Sequence, residues 1–351
     1  IAPDIMQMPT LQFPRFVEQL DGLMDLKPLM EADKEFNWKD YYEFARREVT
    51  YRGKIVALPN NISQALLVYN KDLLDEVGAP YPDWNWTWDT LLDVAKKTTK
   101  DTDGDGRIDQ WGFSWLGLSP NCGPPNFIYQ NNSSILNKDR TKCILTEPAA
   151  VEAIQFVHDL IFKYKVAPKP AFTEQLGDLF QTGKVALFLT GSWRLADYRP
   201  LMYEWDVAPL PKGKRYASVA SIGGEEFVIY KRTKKDPQLL WKAMKHLSTT
   251  LAKATGDLPA SRVIAENFYL KSKLRPKSKQ IMLDQSRYWI MKEYTLAYLK
   301  WRQEMMDELE LIFNGEKSVR KGLEDAAAKI NKTLSEEEFR IIGWPTRGKL
   351  E

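Results

Sequence analysis

The stretch "DTDGDGRIDQWGF", residues 101 to 113, carries the residues best spaced for chemistry. Asp101, Asp103 and Asp105 stand at every second position, Gly106 follows, and Asp109 comes four residues after Asp105. In a calcium loop these are positions one, three, five, six and nine, and the backbone carbonyl of Arg107 would serve at seven. Position twelve should be a bidentate Glu; it is Gly112. Without that ligand the loop cannot open a helix pair, so the pattern fits a structural cation site rather than a switch. A metal-free turn is the competing reading, because Asp and Gly suit turns on their own account. Crowded carboxylates repel unless a cation is near, so the residues leave both readings open. A hydrolytic metal centre would need an open position and an activated water, and no neighbouring residue is a convincing general base.

Two further groups of residues could meet a ligand. "GSWR", residues 191–194, places Trp193 just past a glycine turn at the end of the apolar run "VALFL". Ligands of open α/β sheets bind at strand ends. An indole there can be a platform for a flat apolar face such as that of a sugar, or it can be core. Glu225 and Glu226 are adjacent, and in a strand they point to opposite faces. They are therefore poor partners for paired acid–base work, but one of them can accept a hydrogen bond from a ligand hydroxyl. The sequence contains no P-loop, GxSxG elbow, GxGxxG or CxxC pair.

The elements that would hold these residues alternate between apolar runs and amphipathic helices, which favours α/β architecture. "ALLVYN" (65–70) reads as a buried strand, and "KDLLDEVG" as a short helix stopped by Gly78. The segment 86–100 reads as a helix capped by Thr87, 146–164 as a helix starting at Thr146, and 225–231 as a strand. In 236–247 the spacing predicts a helix capped by Asp236 with Leu240, Ala243, Met244 and Leu247 inward. A last helix from Ser318 should bury Val319, Leu323, Ala327, Ile330 and Leu334. The segment 119–143, rich in Pro, Gly and Asn, resists assignment, and so long an irregular stretch points to function.

The 351 residues suffice for two domains. Fifty basic residues against 47 acidic ones give a net charge of +3, which argues against a nucleic-acid binder. No apolar run approaches a membrane span. Two histidines exclude most His-based metal sites. Cys122 and Cys143 allow one disulfide, but two cysteines do not establish it, and the unbridged state is the expectation. Twelve tryptophans are many for this length.

Taken in order, "APDIMQM", "GLMDLKPL", "YRGKIVALPNNISQALLVYNKDLLDEVG", "YPDWNWTWDTLLDVAKK", "DTDGDGRIDQWGF", "FQTGKVALFLTGSW", "IGGEEFVIYKRTKKDPQLLWKAMKHL", "GDLPASRVI" and "IFNGEKSVRKGLEDAAAKIN" resemble the extracellular solute-binding proteins of family 1, the binding components of ABC sugar importers. The resemblance covers nearly the whole chain. It implies a periplasmic-binding-protein-like α/β fold of two lobes joined by hinge strands, with the ligand in the cleft between them. Residues 1–61 and 225–290 would form the N-terminal lobe, and 62–224 and 291–351 the C-terminal lobe. In the family a strand–helix–strand unit precedes the strand that "APDIMQM" resembles, so the N-terminal lobe is expected to lack its first unit.

The implied function is capture of a sugar or oligosaccharide, without catalysis, for delivery to ABC permease subunits. The implied location is extracytoplasmic, in a periplasm or on a cell-surface lipoprotein; no signal peptide is visible in the chain. A calcium-stabilised glycan-processing enzyme and a binding protein for a non-sugar solute are the alternatives. Carried onto this sequence, the site would use Trp193 as the sugar platform with Arg194 at its rim. Asn60, Asn61 and Ser63 would contact the ligand from the hinge after Pro59, and Asn126 and Phe127 from the long polar segment. Glu225 would accept hydroxyl hydrogen bonds, Trp301 would line the cleft floor, and Arg262 and Tyr288 would contribute. The aspartate loop (Asp101, Asp103, Asp105, Arg107, Asp109) would be a structural calcium clip on a lobe surface, with no cofactor otherwise required.

Overall fold

A computed structural model describes residues 2–118, 122–214, 222–254, 256–290 and 293–336. Its strands are β1 (Ile5–Pro9), β2 (Thr50–Tyr51), β3 (Lys54–Ile55), β4 (Asn61–Asn70), β5 (Trp111–Trp115), β6 (Val185–Gly191), β7 (Trp205–Ala208), β8 (Ile222–Gly223), β9 (Glu225–Ile229) and β10 (Leu258–Pro259). The helices that matter most here are α1 (Trp88–Thr98), α2 (Pro125–Gln130), α3 (Pro148–Phe162), α4 (Pro237–Ala254), α5 (Tyr298–Asn314) and α6 (Val319–Ser335).

The fold turns on β4. Its sequence, "NISQALLVYN", is a near-continuous apolar run, as expected of a strand covered on both faces. Ala65, Leu67 and Tyr69 enter one hydrophobic cluster with Trp88 and Leu91 of α1 and Ile154 and Val157 of α3. Leu66 and Val68 enter another with Phe180, Phe188, Tyr198 and Trp205. This period of two is the pleat itself. The second half of β4 pairs antiparallel with β6 and β7, and β5 runs parallel to β6. The first residues of β4 pair instead with β8 and β10. Asn70 ends the strand and caps the helix Lys71–Glu76, its side chain accepting from the amide of Leu73 at 3.2 Å.

The other lobe is built on β1 and β9, which pair antiparallel from Ile5–Ile229 to Pro9–Glu225. Leu58 bridges to Phe227 and Leu23 to Tyr230, and α4 packs against β9. The molecule is thus an α/β protein of two lobes, with the chain passing between them next to residues 59–61, 223–225 and 256–260. Thr10 Oγ1 donates to Glu48 Oε1 at 3.3 Å and lies 3.5 Å from the hydroxyl of Tyr294.

Several expectations are corrected here. Residues 262–289 pack on both sides of the crossings: Ala265, Tyr269, Met282 and Trp289 are buried with Leu66, Val68 and Phe188, while Trp289 stands edge-on to Phe44 at 4.0 Å. Gln285 donates to the carbonyl of Ala65 at 2.9 Å, so the segment is not confined to the N-terminal lobe. In α4 the buried stripe is Trp241, Met244, Ser248 and Ala252. Ala243 and Leu247 face solvent, because the Trp241 indole, donating to Asp33 Oδ2 at 2.8 Å, sets the rotation of the helix. The described part of 119–143 is not irregular throughout; it contains α2, whose six residues are all buried. Thr87, Asp236 and Ser318 do cap their helices. The start of α3 falls at Pro148 with Glu147 before it, so Thr146 is not its cap.

Candidate ligand-binding cleft

Buried polar groups gather where the chain crosses between lobes. The Asn60 amide donates to Glu226 Oε2 at 2.5 Å. Asn61 Nδ2 donates to Asp257 Oδ2 at 2.6 Å, and Ser63 Oγ donates to the same oxygen at 3.0 Å. Ser192 Oγ donates to the other Asp257 oxygen and accepts from the amide of Gln64 at 3.0 Å. Asn61 Oδ1 accepts from the amide of Glu225 at 3.2 Å. Three chain crossings are therefore tied to one carboxylate. Gly224 is required beside it: a Cβ there would lie 2.0 Å from Glu226 Oε1 and 2.5 Å from the carbonyl of Asn61.

The electrostatics follow from burial. Burial pushes Asp257 up to about 6, against the hydrogen bonds from Ser192, Ser63 and Asn61. Burial, with the charge of Glu48 nearby, holds the Glu226 carboxyl well above the usual carboxylate range, against the Asn60 amide. Both Asp257 oxygens accept, from Asn61, Ser63 and Ser192, so the carboxylate fixes the orientation of the amide and hydroxyl groups around it. Such groups both donate and accept, which is the chemistry needed to read hydroxyls.

Trp193 stands at the edge of this network. β6 ends at Gly191, and a short helical turn, Ser192–Arg194, follows. The indole is 39% exposed, so it is not a core residue. Its six-membered ring lies across Gly191, where a Cβ would meet Cη2, Cζ3 and Cζ2 at 2.2–2.4 Å. The glycine is thus a seat for the ring, and one residue away Ser192 holds Asp257.

Residues 2–253 match the family model described as bacterial extracellular solute-binding protein. The chain belongs to this family. Among curated relatives, the maltodextrin-binding protein MdxE of Bacillus subtilis (strain 168) is 26% identical over 255 residues, 69% of this chain and 57% of the relative. The maltotriose-binding protein of Pyrococcus abyssi (strain GE5 / Orsay) is 24% identical over 229 residues, 64% and 47% respectively. The chain spans about half the length of these relatives. Among solved structures, the ABC substrate-binding protein Lmo0181 from Listeria monocytogenes, in complex with cycloalternan, superposes with a TM-score of 0.84 at 25% identity. That match covers 95% of this chain and 85% of the other.

Within this solute-binding protein the residues read from the sequence divide into three groups. Asn60, Asn61, Ser63 and Trp193 come together at the crossings, as described above. Glu225 is exposed and Glu226 buried, so the alternation holds but the enclosed carboxylate is Glu226. Arg194 lies beside Trp193 yet is engaged by Asp178 at 3.1 Å and Asp197 at 2.7 Å. Its first task is to fix the turn. Arg262 is exposed, 5.6 Å from the Tyr42 ring centroid, and half-buried Tyr288 sits 5.8 Å from Trp84; among the described residues no hydrogen bond or ion pair joins either to the Asp257 network.

Trp301, Phe127 and Asn126 are corrected. Trp301 is enclosed in the core, edge-on to Tyr298 at 5.0 Å, with its indole donating to Thr295 Oγ1 at 3.0 Å. Phe127 fills the core between Trp88 and Phe156. Asn126 is fully buried and donates to the carbonyl of Gly123 at 3.1 Å. Their partners are these core neighbours rather than the Asp257 network. Ser192 stands beside Trp193, where the sequence offers it with Arg194 as a polar rim; sequence reasoning did not place Glu226, Asp257 and Gln285 at the site. The signal for Glu226 was its alternation with Glu225; Asp257 sat in the quoted "GDLP" with nothing to mark it as buried.

The aspartate loop lies apart from the network. It enters β5, and Trp111 of β5 stands opposite Val185 at the start of β6, whereas Trp193 follows the end of β6. Six residues of strand separate the two ends, about 20 Å. Asp101, Asp103 and Asp105 are exposed and offer carboxylate oxygens within 4.8 Å of one another. Asp109 is turned away to Thr102, accepting from its amide at 2.9 Å and its hydroxyl at 2.5 Å. Gly112, where a calcium loop would end in Glu, packs on α1: a Cβ there would lie 2.0 Å from the carbonyl oxygen of Ala95. Close helix–strand packing thus excludes the twelfth ligand.

Cys122 and Cys143 are both buried and are not joined by a disulfide. Burial pushes the Cys143 thiol up to about 12. Thiol titration should find two reactive groups per chain in non-reducing denaturant and almost none in the folded protein. No reaction in denaturant would mean a bridge.

Proposed function

We propose that this chain captures a sugar or oligosaccharide between its lobes, outside the cytoplasmic membrane, and hands it unchanged to the permease subunits of an ABC importer. The observation that carries this reading is the half-exposed Trp193 ring, seated on Gly191 beside the Asn61–Ser63–Ser192–Asp257 network. A sugar ring has a C–H face that matches an aromatic face, and hydroxyls around its edge. A platform flanked by buried acceptors and donors suits both. Enclosure by the lobes would remove water and make those few polar contacts count. The maltodextrin- and maltotriose-binding relatives support sugar over other solutes. No helix among the described residues is long and apolar enough to cross a membrane, and the chain would reach its permease from the aqueous side.

The experiment is a thermal-shift screen of linear α-glucans, cyclic oligosaccharides, pentose oligosaccharides and phosphorylated polyols. A ligand that binds only the folded state raises the melting temperature. We expect an unphosphorylated sugar to give the largest shift and to be recovered unaltered. Hydrolysis of the sugar would favour an enzyme, and a shift with phosphorylated compounds alone would favour another solute.

The same reading gives the aspartate loop a structural calcium ion held by Asp101, Asp103 and Asp105. Micromolar to millimolar calcium should raise the melting temperature by a few degrees without changing sugar affinity. An identical melting curve in chelator and in calcium would refute the clip.

A further inference from the structure

The segment 262–279 holds six cations, Arg262, Lys271, Lys273, Arg275, Lys277 and Lys279, against one acid, Glu266. It is net +5 over eighteen residues in a chain that is +3 overall. The same segment exposes large apolar side chains, Val263, Phe268 and Leu274, each at least half accessible. Neighbouring elements extend this surface. Arg275 Nη1 donates to the carbonyls of Leu201 and Tyr203 at 3.1 and 2.8 Å, and Met202 between them is 97% exposed. The helix Arg262–Ile264 packs against α4, whose exposed Leu247 and Leu251 continue the apolar surface.

A cavity opens within it, lined by Arg199, Lys253, Phe268, Tyr269, Leu274 and Lys279. Lys279 is almost fully buried, its ammonium donating to the carbonyls of Ser272, at 2.8 Å, and Leu274. Arg199 repels it, while the nearest acid acting on it, Asp206, is shared with Lys71 at 3.6 Å. Lys253 Nζ stands over the Phe268 ring at 4.4 Å. Glu204 is occupied with Arg275 and Lys277. Lys253, Lys271 and Lys273 are exposed among these apolar groups, Lys271 also donating to Asn267 Oδ1 at 3.1 Å.

Exposed aromatic and aliphatic side chains ringed by lysines, over a cavity of like charges, are complementary to one surface: anionic headgroups above an acyl interior. We propose that this face docks on the anionic phospholipid surface of a membrane, with a lipid phosphate entering the Arg199–Lys279 cavity and Phe268, Leu274 and Met202 entering the interface. The proposal is independent of the sugar reading and would place the protein beside its membrane whichever solute it carries.

The test is co-sedimentation of the full chain with vesicles of phosphatidylcholine alone, and of phosphatidylcholine containing one part in three phosphatidylglycerol, at low and high salt. Binding is expected to the anionic vesicles only, and to weaken with salt. The triple variant Lys253→Glu/Lys271→Glu/Lys273→Glu should bind on the order of tenfold more weakly or worse, and Phe268→Ser/Leu274→Ser should also lose binding. Both should keep the parent's melting temperature and solute affinity, which shows that they fold. Absence of binding to anionic vesicles, or binding that both variants retain, would overturn the proposal. So would a thermal shift with inorganic phosphate, lost in the charge variant, without vesicle binding; that would assign the cavity to a soluble anion. A concentration-dependent dimer abolished by Phe268→Ser/Leu274→Ser would assign the face to a second copy of the chain.

Discussion

Trp193→Ala should weaken sugar binding by roughly tenfold to a hundredfold, equivalent to about 1–3 kcal/mol, by analogy with aromatic stacking on flat nucleobases. Its effect on stability should be far below the cost of about 3–5 kcal/mol for emptying a core Trp site, because 39% of the residue is already exposed. A second variant isolates position from presence. Gly191→Ala puts a methyl where the six-membered ring lies, within 2.2–2.4 Å of three ring carbons. The indole must then leave its seat, and affinity should fall although the ring is still there. Titration by calorimetry, with a denaturant melt in parallel, reads both effects. Unchanged affinity in Trp193→Ala, or a loss of stability that accounts for all the lost binding, would remove the platform.

The second large effect is on pH dependence. Asp257 is raised from an ordinary value of 3.8 to about 6 in the folded protein, chiefly by burial. Between those values the folded state holds more protons than the unfolded one, so stability falls as pH rises through this window. The full difference is about 3 kcal/mol: present as a cost above pH 6 and relieved towards pH 4. Glu226, raised in the same direction by burial and by Glu48, adds a contribution of the same sign. Asp257→Asn keeps the shape of the side chain and removes its titration. Urea melts at four or five pH values between 4 and 7.5 should show the parent losing stability with rising pH, and the variant with a flatter profile. Parallel profiles would mean that Asp257 is not the buried titrating group.

Much of this architecture is legible in the residues, and its gaps have physical causes. The run "ALLVYN" reads as a strand covered on both sides, and it lies within seven consecutive buried residues, Gln64 to Asn70. The stripe Val319, Leu323, Ala327, Ile330, Leu334 buries as spaced. Trp193 stands out because a glycine turn precedes it at a strand end. By contrast, an apolar stripe does not name its partner: nothing in the letters of 262–289 says that Ala265 and Met282 bury themselves against Leu66. An aromatic residue has the same letter in a core and in a cleft, which is why Trp301 and Phe127 were taken for ligand contacts. The Glu225–Glu226 pair shows the limit most clearly: alternation separates the two carboxylates, but only the pairing of β9 with β1 says which one is enclosed. The network around Asp257 joins residues up to 196 positions apart, and no local pattern records it.

The central claim, a sugar site at the lobe crossings, is tested most directly by one titration. Calorimetric titration of the parent chain with the sugar that gives the largest thermal shift should show saturable binding of one molecule per chain. Chromatography of the recovered ligand should show it unchanged. Competition with the Asp257→Asn and Trp193→Ala variants belongs in the same experiment, and both should bind more weakly than the parent. Saturable one-to-one binding that neither variant weakens would place the ligand elsewhere and contradict the account.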